Sequence, residues 1–212
     1  MIEREIIRRR HLPHWDMPGA AYFVTTCLDG SIPAQGQLEL VQYRKELQQR
    51  PRSKSVTEQE WASRLWKLAF VRVEEWLDLR SANRILEKPE LASIVVDAML
   101  HFAGERYDLL AYMVMPSHIH WLFQPLPKWV ESLPNDPITP RERITYSMNR
   151  YSATRCNRLL SLKGPFWQGE SYDHWVRDCE ELERIILYIE QNPVKARLAT
   201  APDEWRFSSA WA

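Results

Sequence analysis

The stretch that most constrains this chain runs Met113-Val114-Met115-Pro116-Ser117-His118-Ile119-His120-Trp121-Leu122-Phe123. It reads as two apolar segments hinged at Pro116-Ser117, the second carrying two histidines one residue apart. Successive side chains of a β-strand point to opposite faces. His118 and His120 therefore project from one face, with Ile119, Trp121 and Phe123 on the other. At ~3.3 Å per residue the two imidazoles stand roughly 6–7 Å apart along the strand, a spacing from which both can turn to one cation. A His-x-His pair also occurs as ordinary core or surface histidines, so a cation site asks for more. The only later histidine is His174, which leaves the third ligand to another residue type.

The flanking sequence supplies the elements around that strand. Ala20 to Leu28 is aromatic and β-branched and stops at Asp29-Gly30, a first strand followed by a turn. Residues 31–87 are less regular, with a polar linker at Arg50–Ser55 and a capping box at Thr57-Glu58-Gln59-Glu60 opening a helix that includes Trp61, Leu65, Leu68 and Trp76. Lys88-Pro89-Glu90 opens another helix, with an apolar stripe of Leu91, Ile94, Val95, Ala98, Met99 and Phe102. Tyr107 to Met115 is a buried strand, and His118 to Gln124 its antiparallel neighbour. Residues 125–137 form a proline-rich loop. Thr139-Pro140-Arg141-Glu142 starts a helix reaching about Leu160, its arginines largely exposed. Phe166 to Val176 is a strand broken at Gly169. Asp178 caps a last helix that halts at Asn192-Pro193. This order predicts an α+β protein in which an antiparallel sheet carries helices on one face.

Charge matters here through its distribution. The 212 residues balance 28 basic against 28 acidic side chains, so bulk charge makes no case for a polyanion. Between Ile138 and Gln168, however, stand Arg141, Arg143, Arg150, Arg155, Arg158 and Lys163 against the single acid Glu142, and the N-terminus carries Arg8-Arg9-Arg10. Local basic surfaces are what a nucleic acid feels across a Debye length of ~8–10 Å. Arg143, Arg150, Arg155, Arg158 and the N-terminal arginines are the candidate backbone contacts; a plain solvated helix face is the alternative. Cys27, Cys156 and Cys179 are odd in number and form no CxxC pair, against a disulfide framework or a cysteine zinc site. With no signal-peptide core and no run of ~18 apolar residues, a cytoplasmic protein without membrane contact is expected.

The last helix buries Leu182, Ile185, Ile186 and Ile189, and holds Tyr188 and Asn192 four apart, one turn above the other on the same side. A half-buried tyrosine and an asparagine near a helix end are each common by themselves. In combination with the strand motif they are more specific. Met115-Pro116-Ser117-His118-Ile119-His120 followed by Tyr188-Ile189-Glu190-Gln191-Asn192-Pro193-Val194-Lys195-Ala196 resembles the single-tyrosine HUH transposases, and within them the REP-associated tyrosine transposases, a domesticated bacterial branch. Phe166-Trp167-Gln168, Tyr172-Asp173-His174, Arg9-Arg10-His11-Leu12-Pro13-His14-Trp15 and Trp205-Arg206-Phe207-Ser208-Ser209 share the resemblance.

The resemblance implies one HUH-type domain over 1–212 with a ferredoxin-like sheet, a basic arm at 1–18 and a helical insertion at 31–88. It implies that His118 and His120 bind a divalent metal, magnesium or manganese, with Asn192 as third ligand where mobile relatives tend to carry glutamine. Tyr188 is then the nucleophile, forming a 5′-phosphotyrosine on single-stranded or hairpin DNA of REP type without a nucleotide cofactor. His174 is a possible auxiliary residue. Tyr172 is the less fitting nucleophile, being a strand tyrosine without the asparagine one turn on. Two rivals stand beside this reading: a catalytically silent binder of DNA hairpins with the same fold, and a small-molecule metallohydrolase using the His pair. The sequence leaves monomer versus homodimer open.

Overall fold

A computed structural model describes residues 6–9, 13–169 and 171–211, with the backbone alone at 6–9, 13–15, 59, 79 and 80. The chain opens with a small hairpin, β1 (Ile6–Arg9) and β2 (Pro13–Asp16), paired antiparallel with Ile6 opposite Asp16. The described parts of the basic arm are thus two paired strands, where an extended arm was expected. The main sheet has four antiparallel strands: β3 (Tyr22–Cys27), β4 (Tyr107–Val114), β5 (His118–Pro125) and β6 (Tyr172–Trp175), ordered β4-β5-β3-β6. Between them run α1 (Ala34–Gln48), α2 (Glu58–Arg80), α3 (Pro89–Leu100), the short α4 (Pro127–Glu131) and α5 (Pro140–Leu160), and α6 (Cys179–Lys195) follows β6.

Strands β3 and β4, joined through α3, are split by β5; β5 and β6, joined through α5, are split by β3. This is the double split βαβ of a ferredoxin-like sheet, within the α+β class expected. Both crossover helices lie on one face. There Tyr22, Val24, Ile119, Trp121 and Phe123 pack against Leu91, Val95 and Met99 of α3 and Ile144 and Met148 of α5. Each such side chain, fully buried, contributes about 1.5–3 kcal/mol.

The opposite face differs from the expectation of helices on one side only. Phe23, Cys27, Met113 and Leu122 meet Phe70, Val73, Trp76 and Leu77 of α2 and Ile189 of α6. The physical reason is that this face also carries large apolar side chains, Phe23, Met113 and Leu122, which need cover. Residues 31–57 are likewise more regular than expected. α1 occupies 34–48 and lies so close to α2 that a Cβ on Gly36 would sit 2.8 Å from the Trp76 indole.

Helix ends follow their local chemistry. The capping boxes at Thr57/Glu60 and Thr139/Glu142 are both formed, and Asp178 accepts from the Glu181 N–H at 2.7 Å. α6 does not stop at Asn192-Pro193 but carries Pro193 inside its last turn and ends at Lys195. A proline that near the end forfeits one backbone bond without breaking the turns before it. The expected strand 166–176 reduces to a bridge between Leu28 and Trp167 and then β6.

Arg141 departs from the exposed-arginine expectation. It is buried, with Nε and Nη2 on the two oxygens of Asp16 at 2.8 and 2.9 Å and Nη1 3.4 Å from Asp173. This network ties the N-terminal hairpin and β6 to the start of α5.

Candidate active site

β5 presents His118 and His120 on the face covered by α2 and α6, both fully buried. The register sets Cys27 opposite His118 and Thr25 opposite His120. Each ring is fixed through Nδ1: His120 meets the Thr25 hydroxyl at 2.7 Å, and His118 the Ser117 hydroxyl at 3.0 Å. The Ser117 hydroxyl donates to the Leu77 carbonyl at 3.3 Å. Its oxygen is therefore left to accept from His118 Nδ1–H, which puts the free lone pair of His118 on Nε2. Both Nε2 atoms point inward and lie 3.1 Å apart.

The third member of the cluster comes from α2. Glu74 Oε2 is 3.2 Å from His120 Nε2, and Glu74, His118 and His120 offer ligand atoms all within 4.8 Å of one another, every residue buried. Glu74 Oε1 is buried without a partner. Burial opposes the charge on Glu74, yet His120, His118 and the Tyr188 hydroxyl hold its carboxyl down at about 2. Burial, then the neighbouring His120, pushes His118 down to about 3, so its imidazole is neutral. Asp78, one turn beyond Glu74, is pushed up to about 6 by burial and by the Glu74 charge. Imidazole nitrogens and a carboxylate converging with an oxygen to spare form a donor set that fits a divalent cation, with the histidines oriented by hydroxyls behind them.

α6 brings up Tyr188 and Asn192 as the i, i+4 spacing requires. The Tyr188 hydroxyl donates to Glu74 Oε2 and accepts from Asn192 Nδ2 at 3.1 Å. Asn192 Nδ2 also lies 3.4 Å from Glu74 Oε2 and 3.5 Å from His120 Nε2, while its Oδ1 is buried without a partner. Burial first, then the Glu74 charge and hydrogen bond, raises the Tyr188 phenol well above its ordinary value. The hydroxyl is therefore protonated and already aimed at a proton acceptor. A cleft of about 800 Å³ between α2 and α6, lined by Trp66, Phe70, Glu74, Tyr188, Asn192 and Lys195 among others, opens this cluster to solvent.

Other expected residues are set apart from it. His174 lines the same cleft but pairs with Glu181 at 3.2 Å and stacks on Trp66 at 4.7 Å. Tyr172 accepts from Arg44 at 2.8 Å. Arg150, Arg155 and Arg158 are exposed on α5, and Arg143 is half-buried and paired with Asp136. α5 packs on the sheet face opposite the histidines, so these arginines do not reach the Tyr188 cluster. Arg10 lies outside the described residues, and Arg8 and Arg9 are described only as backbone of β1.

Glu74 is the residue sequence reasoning missed. Its signal was a carboxylate set within the apolar stripe Trp66, Phe70, Val73 and Leu77 of an amphipathic helix, where a lone acid is costly unless paired.

No family model matches the chain. A curated relative, the putative REP-associated tyrosine transposase of Haemophilus influenzae (strain ATCC 51907 / DSM 11121 / KW20 / Rd), is 27% identical over 111 residues, covering 49% of this chain and 58% of its own length. The match thus takes in less than two thirds of that relative. Among solved structures, one of a REP-associated tyrosine transposase bound to a REP hairpin aligns with 95% of this chain and 81% of its own, at a TM-score of 0.49 and 16% identity. Among the described residues no helix is long and apolar enough to cross a membrane. The family that the sequence resemblance named is the one given in the name of the curated relative, which matches about half of the chain.

Proposed function

We propose that this chain is a metal-dependent, single-strand-specific DNA endonuclease and strand transferase of the REP-associated tyrosine transposase kind. The observation that carries the reading is the joining of Tyr188, Glu74, His118, His120 and Asn192 in one cluster at the foot of a cleft. In this reading the chain is a single HUH-type domain, and the insertion 31–88 is the segment that delivers Glu74.

Tyr188 Oη attacks the phosphorus of a DNA phosphodiester in line with the 3′-oxygen. The O–P bond forms, the P–O3′ bond breaks, and the products are a 5′-phosphotyrosine and a free 3′-hydroxyl. Glu74 holds the phenol in place through the hydrogen bond it accepts. The phenolic proton leaves to water in the cleft as the O–P bond forms, and water returns a proton to the departing O3′ to give the 3′-hydroxyl. Asn192 Nδ2 orients the phenolic oxygen. Glu74, His118 and His120 would hold a magnesium or manganese ion, whose chemistry when bound would be Lewis-acid polarisation of the scissile phosphate. Asn192 is a further ligand if its amide turns, because its two ends have equal shape and Oδ1 is unpartnered. The bond energy kept in the phosphotyrosine lets another 3′-hydroxyl reverse the step and join strands without a nucleotide cofactor.

The partner in this reading is hairpin DNA with an unpaired flank. Arg150, Arg155, Arg158 and Arg143 serve as phosphate contacts, the N-terminal arginines act likewise, and His174 braces the cleft wall through Glu181 and Trp66. The test is cleavage of an end-labelled hairpin carrying such a flank, with manganese, magnesium or EDTA. Wild type nicks the flank only with metal, and His120→Ala does not. Tight binding without a nick in either metal would replace this reading with the silent hairpin binder.

A further inference from the structure

A second cavity, of about 830 Å³, lies on the other side of the sheet edge from the Tyr188 cleft. Its walls come from the N-terminal half of α5, from α4 and the loop after it, and from the segment leading into β6. Two aromatic rings, Trp129 and Tyr146, line it together with Arg106, Arg143 and the amides of Asn149 and Gln168. Tyr146 is 64% exposed, a large ring that the fold does not use for its own core. Within the same wall Arg143 Nε and Asn149 Oδ1 are buried without hydrogen-bond partners. Orphaned polar atoms are costly in a folded protein, and here a donor and an acceptor are both left over. A nucleobase edge carries both complements, and its ring face suits an exposed tyrosine.

The surroundings fit a strand of nucleic acid. On α5, Arg143, Tyr146, Arg150 and Arg158 fall within one stripe at helical spacing, and Arg150 and Arg158 are exposed. Phosphates following that stripe lead into the cavity at Tyr146. From there the way to the cleft is short in sequence and crosses the edge strand. Ser171 lines the second cavity, and His174, three residues on in β6, lines the Tyr188 cleft.

We infer that this cavity takes one unpaired nucleobase of the DNA whose backbone runs along the α5 arginines, so that the strand passes over the β6 edge to Tyr188. The inference rests on the DNA-processing reading above and adds to it the residues that select unpaired substrate. Tyr146 supplies the stacking face, and Asn149 with Arg143 reads the base edge.

The test measures binding by fluorescence anisotropy to two hairpins of equal stem, one blunt and one with a four-nucleotide unpaired flank, for wild type, Tyr146→Ala, Tyr146→Trp and Asn149→Ala. Wild type is expected to prefer the flanked hairpin. Tyr146→Ala and Asn149→Ala lose about tenfold on that hairpin alone, in the range of one base-stacking contact. Tyr146→Trp retains the preference, which separates a stacking role from a folding one. Equal losses on both hairpins, or unchanged binding of the flanked one, would overturn the inference while leaving DNA binding intact. Failure of wild type to bind either hairpin would overturn the DNA reading and the inference with it.

Discussion

Glu74 Oε2 lies 3.2 Å from His120 Nε2 and accepts the hydroxyl proton of Tyr188, so one carboxylate joins a strand histidine to a helix tyrosine. These residues are far apart in sequence, and α2 is the element that brings the acid to both. The site therefore depends on a helix outside the ferredoxin-like core.

Removing that carboxylate should uncouple the cation from the fold. Wild type in manganese at a hundredfold excess over Kd gains about 2.7 kcal/mol of stability by mass action. Glu74→Ala should lose most of this gain while its stability in EDTA falls much less. Thermal unfolding with and without manganese reads both; an undiminished shift in Glu74→Ala would exclude it as a ligand.

Thr25 acts one step behind the ligand. Its hydroxyl fixes His120 Nδ1, and partners of that kind are worth about 10–100-fold in metal affinity. Thr25→Val should weaken manganese binding by that order in a calorimetric titration, and Thr25→Ser should restore it.

Sequence periodicity revealed one half of the site and not the other. The period of two along 118–123 placed both histidines on one face, and the i, i+4 spacing of Tyr188 and Asn192 placed both on one side of α6. Those are local geometries, and local geometry is what spacing encodes. Glu74 reaches the cluster by tertiary packing of α2 on the sheet, which no spacing within the chain announces. α1 was missed for a related reason, since its glutamine- and glutamate-rich sequence has few apolar positions and buries only Gly36, Leu40 and Leu47. α6 continues past Asn192-Pro193 to Lys195 because a proline inside the last turn removes only a single backbone bond, so proline alone does not mark the helix end.

Gly36 marks the closest approach of α1 to α2. A methyl group there would meet the Trp76 ring at 2.8 Å and Ile32 Cγ2 at 2.9 Å. Gly36→Ala should cost about 1–3 kcal/mol, the range for overpacking a filled core. Urea unfolding gives the figure; a variant as stable as wild type would mean that the two helices separate freely.

Acid should weaken the α6 anchor in a defined window. Burial opposes the Glu181 charge, but the His174 hydrogen bond and charge, the Arg177 N–H and Lys67 hold its carboxyl at about 2 against an ordinary 4.5. Because the folded value is the lower one, the unfolded chain binds the extra proton. The contribution is complete above pH 4.5 and is lost as pH falls from there toward 2. In EDTA, wild type should lose stability more steeply than Glu181→Gln across that interval; parallel profiles would contradict the assignment.

The most direct test of the central claim is covalent. Flanked hairpin DNA is incubated with manganese and wild type or Tyr188→Phe, and the denatured products are digested with trypsin for mass spectrometry. The account predicts a nucleotide adduct on the peptide Ile185–Lys195, whose one tyrosine is Tyr188, and none from the variant. An adduct persisting in Tyr188→Phe, or appearing on another peptide, would contradict it.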